Sequence, residues 1–573
     1  MIKNQKIPTK LNLITEKIHQ FFAWKYHYWI TLPLYFILLY VMYFIFAFKT
    51  STYVKFPELP QEVGFASYAS YLAFIILLVL FVVIIGVRIA LKRRNKTLKA
   101  EDLAISFVMI GMTILILFSY LRFMNTNLYK HDWSLYEKGG HFSIVYDIFN
   151  TGKWPDANMT NQYYQPKVWH TVVALFMKLN SFIIPHFSTS QDFLSSQAQS
   201  WFPNYDLYQY TLLETSRILM AYYGSLTIFF GYKIFKLLGL KGSRLVIASF
   251  LISFTPVMYY LPFYGNNDSL SFFFGVMALF FALKYKEKQN FRYIVLTAVG
   301  IGLSMATKLS NAVIAVPIAF IFLLVLIQTI KKTNSLSLKQ FILQIAVFAV
   351  IVFPLGLAIP IYHKIAFDMP FGYVLDLEVN GENWMHIDQQ MYNPIVRFFL
   401  FPTPDLFFSI TNLRYNSEYV LVNGVADWIS KFGEQDFNVW TSFLKTALWG
   451  EGGINASKFL LGICYVLYAF AILLGVAFIV FFWIYVIKTI LNLCKKDRTY
   501  PSFGSLVMLL TFLTTFVSYA YFNYRYPVGC SANARYAMFM FFPLYYFVSD
   551  GAVNLVTYVK GIINNRHGQP NQA

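Results

Sequence analysis

The chain has 573 residues, of which 57% are hydrophobic and only 13% charged, and its formal net charge is +19. That balance excludes an ordinary soluble globular protein. What remains is a chain that lives in lipid, where its 60 Phe and 42 Tyr suit lipid-facing helices and the interfacial belts that anchor spans.

Positive charge points first to nucleic acid. Here it gathers in short stretches between apolar runs, as the positive-inside rule expects, so membrane lipids are expected partners and nucleic acid is not. Cys464, Cys494 and Cys530 fall on a span, a basic loop and an opposite-side loop, so no disulfide framework is expected.

Residues 1–20 are basic and polar, and no small-residue cleavage site follows the first apolar run, which reads as a retained helix. Apolar runs long enough to cross a hydrocarbon core as helices recur near 28–48, 69–91, 103–123, 209–232, 244–262, 269–284, 292–307, 312–330, 341–362, 459–487, 502–522 and 536–558. The expectation is an all-α polytopic membrane protein of about twelve transmembrane helices with two large extracytoplasmic loops.

Charge sets its orientation. With the N-terminus cytoplasmic, Lys92, Arg93, Arg94, Lys96 and Lys99 fall inside, as do Lys233, Lys236, Lys241 and Arg244. So do Lys284, Lys286, Lys288 and Arg292, then Lys331, Lys332 and Lys339, then Lys488, Lys495, Lys496 and Arg498. Both termini are then cytoplasmic at the plasma membrane, and an active site would be extracytoplasmic.

The chain divides into 1–123 (tail and first three spans), 124–208 (first extracytoplasmic loop), 209–362 (helix bundle), 363–457 (second extracytoplasmic segment) and 458–573 (last three spans and tail). Residues 168–184 are apolar enough to imitate a span, but counting them as one would invert every later loop. Trp169, Val172, Val173, Phe176 and Met177 share one helical face, so an amphipathic helix in the membrane interface is expected instead.

The first outer segment opens on His131-Asp132, runs through Gly139-Gly140-His141 into a helix ended by Gly152 and Pro155, and closes on Gln162-Tyr163-Tyr164-Gln165-Pro166-Lys167. A carboxylate just outside a span is placed to take a proton from a hydroxyl on a lipid-linked substrate's partner; it is equally the kind of residue that caps a helix. The turn Asn266-Asn267-Asp268-Ser269 allows the same two readings, a polar site or a cap. Lys308, in an outer turn, either snorkels to headgroups or pairs with a phosphate. Arg535, just before the last span, is a phosphate ligand or an interfacial anchor. The second outer segment holds Asp368, Asp376, Glu378, Glu382, His386, Asp388, Arg397 and Arg414 without specific spacing, and reads equally as a sugar-binding surface or a solvated lid. No nucleotide loop, zinc-ligand spacing or Gly-x-Ser-x-Gly elbow occurs.

Taken in order, these motifs, with Thr307-Lys308-Leu309-Ser310 and Ala534-Arg535-Tyr536, resemble the GT-C membrane glycosyltransferases, nearest the dolichyl-phosphate-mannose protein mannosyltransferases and the aminoarabinose transferases. The resemblance runs from about residue 120 to the C-terminus. It implies an inverting transfer from a polyprenyl-phosphate sugar, with Asp132 as catalytic acid residue of the first loop acting as base. Two departures stand out: Trp133 follows Asp132 where relatives often carry Glu, and Lys167 follows Pro166 where they often carry a second Pro.

In this picture Lys308 and Arg535 hold the leaving phosphate, while His131, His141, Tyr163, Gln165, Asn266, Asn267 and Asp268 contact donor or acceptor. The donor would be a polyprenyl-phosphate sugar, of undecaprenyl type in a bacterium, and the acceptor a cell-envelope glycopolymer, glycolipid or protein. No cofactor or metal ligand set is expected. The rivals are a lipid-linked saccharide transporter, which would place ionisable residues near the bilayer midplane, and a polysaccharide polymerase or ligase.

Overall fold

A computed structural model describes residues 28–49, 99–119, 140–155, 165–183, 212–368 (apart from 214), 395–401, 416–422, 425–431, 438–450, 458–494, 502–526 and 529–566, with a few isolated positions between 79 and 87. The chain forms two compact units, Met1–Lys55 and Phe56–Ala573. In the first, α1 (Tyr28–Lys49) exposes Leu34, Ile37, Leu38 and Val41, a surface suited to lipid.

In the second unit, α2 (Ala100–Ser119) begins with Glu101 and Asp102, acids that complement a helix N-terminus. It packs along α5 (Arg217–Leu237) and α6 (Gly242–Phe254). Phe107 meets Phe250 and Phe254 edge-on there, and Gly111 lets the backbones close until a Cβ would stand 3.0 Å from Ser253. A short helix α7 (Val257–Tyr260) and a 3-10 turn (Leu261–Tyr264) follow α6 at a bend of 53°. Pro256 causes the bend: it lacks a backbone donor and holds Thr255 extended at φ −72°, ψ 120°.

Next come α8 (Asp268–Lys288), α9 (Phe291–Thr307), a 3-10 turn (Leu309–Ile314), α10 (Ala315–Ile330) and α11 (Leu338–Phe367). α9 lies between α8 and α11 and packs on both. Small residues allow it: a Cβ on Gly300 would lie 3.0 Å from that of Ala278, and one on Gly302 would lie 2.9 Å from Leu355. Residues 363–457 contribute α12 (Val396–Phe399), one antiparallel hairpin of β1 (Asn416–Val422) and β2 (Val425–Lys431), and α13 (Val439–Trp449). The chain ends in α14 (Lys458–Cys494), α15 (Phe503–Arg525), 3-10 turns at Gly529–Ala532 and Ala534–Met540, and α16 (Phe541–Arg566).

The molecule is thus helical as expected, the hairpin being the exception. Among the described residues seven helices are long and apolar enough to cross a membrane, or eight if the bent pair Gly242–Phe254 and Val257–Tyr264 is one span. The expected count of about twelve is not confirmed among the described residues. α9 has 17 residues and falls short on length, and the 69–91 run lies almost wholly outside the described residues.

The segment expected to be amphipathic forms α4 (Val168–Ile183), packed against α3 (Gly140–Thr151). α3 ends where Gly152 turns the chain at φ +69°. Trp169, Val173, Phe176 and Met177 of α4 are buried, as the pattern predicts, but Val172 is exposed. With Leu175, Leu179 and Phe182 it leaves an outward apolar row, so α4 has apolar surface on both sides.

Candidate active site

Gly265, at φ +70°, turns the chain between the 3-10 turn and α8, a conformation that glycine adopts without strain. Asn266 follows, and its Oδ1 accepts from the backbone N–H of Asp268 at 3.1 Å. Asn267 holds the N-cap position but makes no capping bond. Its amide instead donates to Gln165 Oε1 at 2.7 Å and to the Thr307 carbonyl at 2.8 Å. Of the several polar residues in this turn, then, Asn267 serves to tie α8 to α9 and to the segment before α4.

Asp268 is the first residue of α8, and its carboxylate accepts from Lys308 Nζ. Arg535 Nε approaches the other carboxylate oxygen at 3.8 Å, an ion pair rather than a hydrogen bond. The side chains of Asp268, Lys308 and Arg535 are 5%, 15% and 11% exposed. Lys308 therefore does not snorkel outward, and Arg535 is folded inward. Two distant turns, more than 200 residues apart in sequence, meet on one carboxylate.

The local structure accounts for this convergence. Ser271 and Ser304 exchange hydroxyl-to-carbonyl bonds of 2.8 Å in both directions, and Asn311 Nδ2 donates to Ser271 Oγ at 2.8 Å, so the end of α9 is fixed beside the start of α8. Lys308 leaves α9 extended and crosses the head of α8. On the other side, Asn533 caps the last 3-10 turn by accepting from Arg535 N–H at 2.8 Å. The next turn residue is bound to α13, where Thr446 Oγ1 accepts from Ala534 N–H at 2.9 Å and the Thr446 carbonyl accepts from Tyr260 OH.

Tyr536 completes the cluster. Its ring lies 4.6 Å from Lys308 Nζ and 5.0 Å from the Arg535 guanidinium, and its hydroxyl accepts from Arg535 Nη2 at 3.1 Å. The reading of single residues missed this role, although Tyr536 stands directly after Arg535 in a quoted motif.

A second polar seam joins the cluster through Gln165. Lys167 Nζ donates to the Gln165 carbonyl at 2.6 Å, and His141 Nδ1 and His170 Nε2 share a hydrogen bond of 2.8 Å. Burial pushes the Lys167 ammonium down to about 7. Burial, then the positive neighbours His141 and Lys167, holds His170 well below the usual imidazole range, so it is a neutral ring able to share that bond.

The structure thus brings together the predicted residues Gln165, Asn266, Asn267, Asp268, Lys308 and Arg535, while His141 pairs with His170 of α4. His131, Asp132 and Tyr163 lie outside the described residues, as do Trp133 and Glu137. Among the described residues no group of three or more His, Cys, Asp or Glu could hold a metal ion. Within residues 363–457, Asp368 is exposed, whereas Arg397 is 1% exposed and is no part of a solvated lid. The reason is that α13 captures the backbone around it: Asn438 Nδ2 donates to the Leu400 carbonyl at 2.7 Å and Trp440 Nε1 to that of Phe398 at 3.1 Å.

The long apolar helices describe a multi-pass membrane protein, and at a helix end it carries this shielded cluster of one carboxylate with two cations. Residues 213–356 match the family described as dolichyl-phosphate-mannose-protein mannosyltransferase, and that stretch contains Asn266, Asn267, Asp268 and Lys308. The resemblance to membrane glycosyltransferases holds over that segment. The chain is also similar to the oligosaccharyltransferase of Archaeoglobus fulgidus, crystallised in the apo form, with 12% identity and a TM-score of 0.38 over 82% of this chain and 52% of that one. It therefore spans about half the length of that protein. No curated protein matches the chain.

Proposed function

We propose that this protein is an inverting glycosyltransferase that moves a sugar from a polyprenyl-phosphate carrier, of the undecaprenyl type, to a cell-envelope glycopolymer, glycolipid or protein on the extracytoplasmic face of the plasma membrane. The observation that carries this reading is the convergence of Lys308 and Arg535 on Asp268, above the ring of Tyr536. A guanidinium and an ammonium side by side suit the phosphate of a lipid-linked donor.

In the transfer, the acceptor oxygen forms a bond to the anomeric carbon as the bond from that carbon to the phosphate oxygen breaks. The acceptor proton passes to the Asp132 carboxylate, and the bonding electron pair leaves on the polyprenyl phosphate. Lys308 and Arg535 stabilise the charge that develops there. His141, Gln165, Asn266 and Asn267 are assigned to donor or acceptor contacts, as are His131 and Tyr163.

The test is chemical. Membranes of a strain lacking the protein are expected to accumulate a polyprenyl monophosphate sugar, and the envelope to lose one glycan decoration, both read by mass spectrometry. An unchanged lipid pool and an intact envelope would rule the reading out.

The side of the membrane is tested separately. With the three native cysteines replaced by serine, cysteines introduced at Ser195 and Ser417 are expected to react with an impermeant thiol reagent in intact cells. Protection at both positions would place the two long segments, and the site with them, on the inner side.

A further inference from the structure

We propose that Thr446 is a positioning residue for the donor phosphate: its hydroxyl makes α13 the seat from which Arg535 reaches into the site, so residues 363–457 govern the grip on the lipid carrier. This rests on the proposed function. Thr446 is 4% exposed and Ala534 is fully buried. The Thr446 hydroxyl donates to the Ser442 carbonyl at 2.6 Å, one turn back in α13, with the Phe443 carbonyl at 3.2 Å a weaker second acceptor. That commits its proton to α13 and turns a lone pair outward, which accepts from Ala534 N–H at 2.9 Å. Arg535 is the next residue, and its own N–H goes to Asn533 Oδ1 at 2.8 Å. Two successive backbone donors are thereby held, one by the turn itself and one by a helix far away in sequence, and together they direct the Arg535 side chain.

The turn depends on that outside hold. It is a 3-10 stretch interrupted at Ala537, whose φ of −132° and ψ of 30° are not helical, so its own bonds do not fix its course. α13 is a firm support. Phe443 stacks on Phe541, the first residue of α16, at 5.5 Å, and Trp440 stacks on Phe516 of α15 at 5.6 Å. The Thr446 carbonyl accepts from Tyr260 OH, so the same residue also joins α7 to the turn. A shift of α13 is therefore passed to Arg535 through one hydroxyl, whereas Lys308 is held separately, at the end of α9, by the bonds among Ser271, Ser304 and Asn311.

Binding of a lipid phosphate tests the inference without knowledge of sugar or acceptor. Purified proteins in detergent are titrated with undecaprenyl phosphate. Thr446→Val keeps the size of the side chain but leaves the buried Ala534 N–H without this acceptor, and affinity is expected to fall about fivefold. Thr446→Ser keeps the hydroxyl and is expected to stay within about twofold of wild type. The decisive measurement repeats Thr446→Val in an Arg535→Lys background, where it is expected to cost less than about twofold, because the contact through which it acts is already gone. Equal losses in both backgrounds, or a serine variant as weak as the valine one, would make Thr446 a support of the fold alone and overturn the inference, as would an unchanged affinity of Thr446→Val. Should the valine variant not fold, Thr446→Ala is read in the same way. A wild-type protein that does not bind undecaprenyl phosphate would instead overturn the proposed phosphate site, and this inference with it.

Discussion

Replacing Asp132 by Asn is expected to leave insertion and folding intact while transfer falls by about a hundredfold or more. An acceptor hydroxyl must shed its proton as it attacks the anomeric carbon from the face opposite the phosphate, so one base has to stand beside it. Asn keeps the size of Asp and caps a helix about as well, so a role in capping alone would survive the change. A prenyl phosphate neutralised by Lys308 and Arg535 already leaves readily, which removes the need for a second acid and fits the presence of Trp133 where relatives often carry Glu. Glu137→Gln is accordingly expected to be much milder. The measurement is single-turnover transfer by purified protein; activity of Asp132→Asn within a few-fold of wild type would end its assignment as base.

The second large effect is expected at Arg535. A lysine there keeps the charge but cannot approach Asp268 through Nε while holding Tyr536 OH through Nη2, two of the contacts that hold the guanidinium. It also loses the paired donors that match two phosphate oxygens. The loss of one charge-assisted hydrogen bond, about 1.5–3 kcal/mol, predicts a drop of roughly tenfold or more in donor affinity or turnover. Steady-state kinetics on the Arg535→Lys protein decide the matter: unchanged KM and kcat would reduce Arg535 to an interfacial anchor.

Much of this architecture was legible because lipid imposes simple rules on sequence. Apolar length marked each of the seven spanning helices, and Gly152 marked the end of α3. The apolar run 292–307, counted among the expected spans, forms α9, whose 17 residues fall short of a spanning length, and the bend after α6 lay hidden within one continuous apolar run, where only Pro256 signals the change of direction. The hairpin was missed although Asn423-Gly424, a pair that tight hairpins favour, separates its strands.

At the site, residue types were readable and partners were not. Lys308 and Arg535 each drew attention by a charge placed where topology did not require one, and Asp268 by the polar turn it shares with Asn266 and Asn267. Their meeting depends on Ser271 with Ser304 and on Thr446 with Ala534, contacts between segments far apart in the chain that no local pattern encodes. Tyr536 likewise owes its role to what lies above its ring.

α9 has 17 residues, so it rises only about 25 Å, against a hydrocarbon core of about 30 Å. A helix that starts at the inner interface and runs straight across would therefore end below the outer headgroups, with Lys308 drawn down into the edge of the oily layer. The sugar-bearing phosphate would then have to sink slightly to be met, or the bilayer to pinch around the protein. Either accommodation would cost a fraction of a kcal/mol per ångström of mismatch, and on the proposed function that cost would tie turnover to lipid chain length, a dependence with no counterpart in a soluble enzyme.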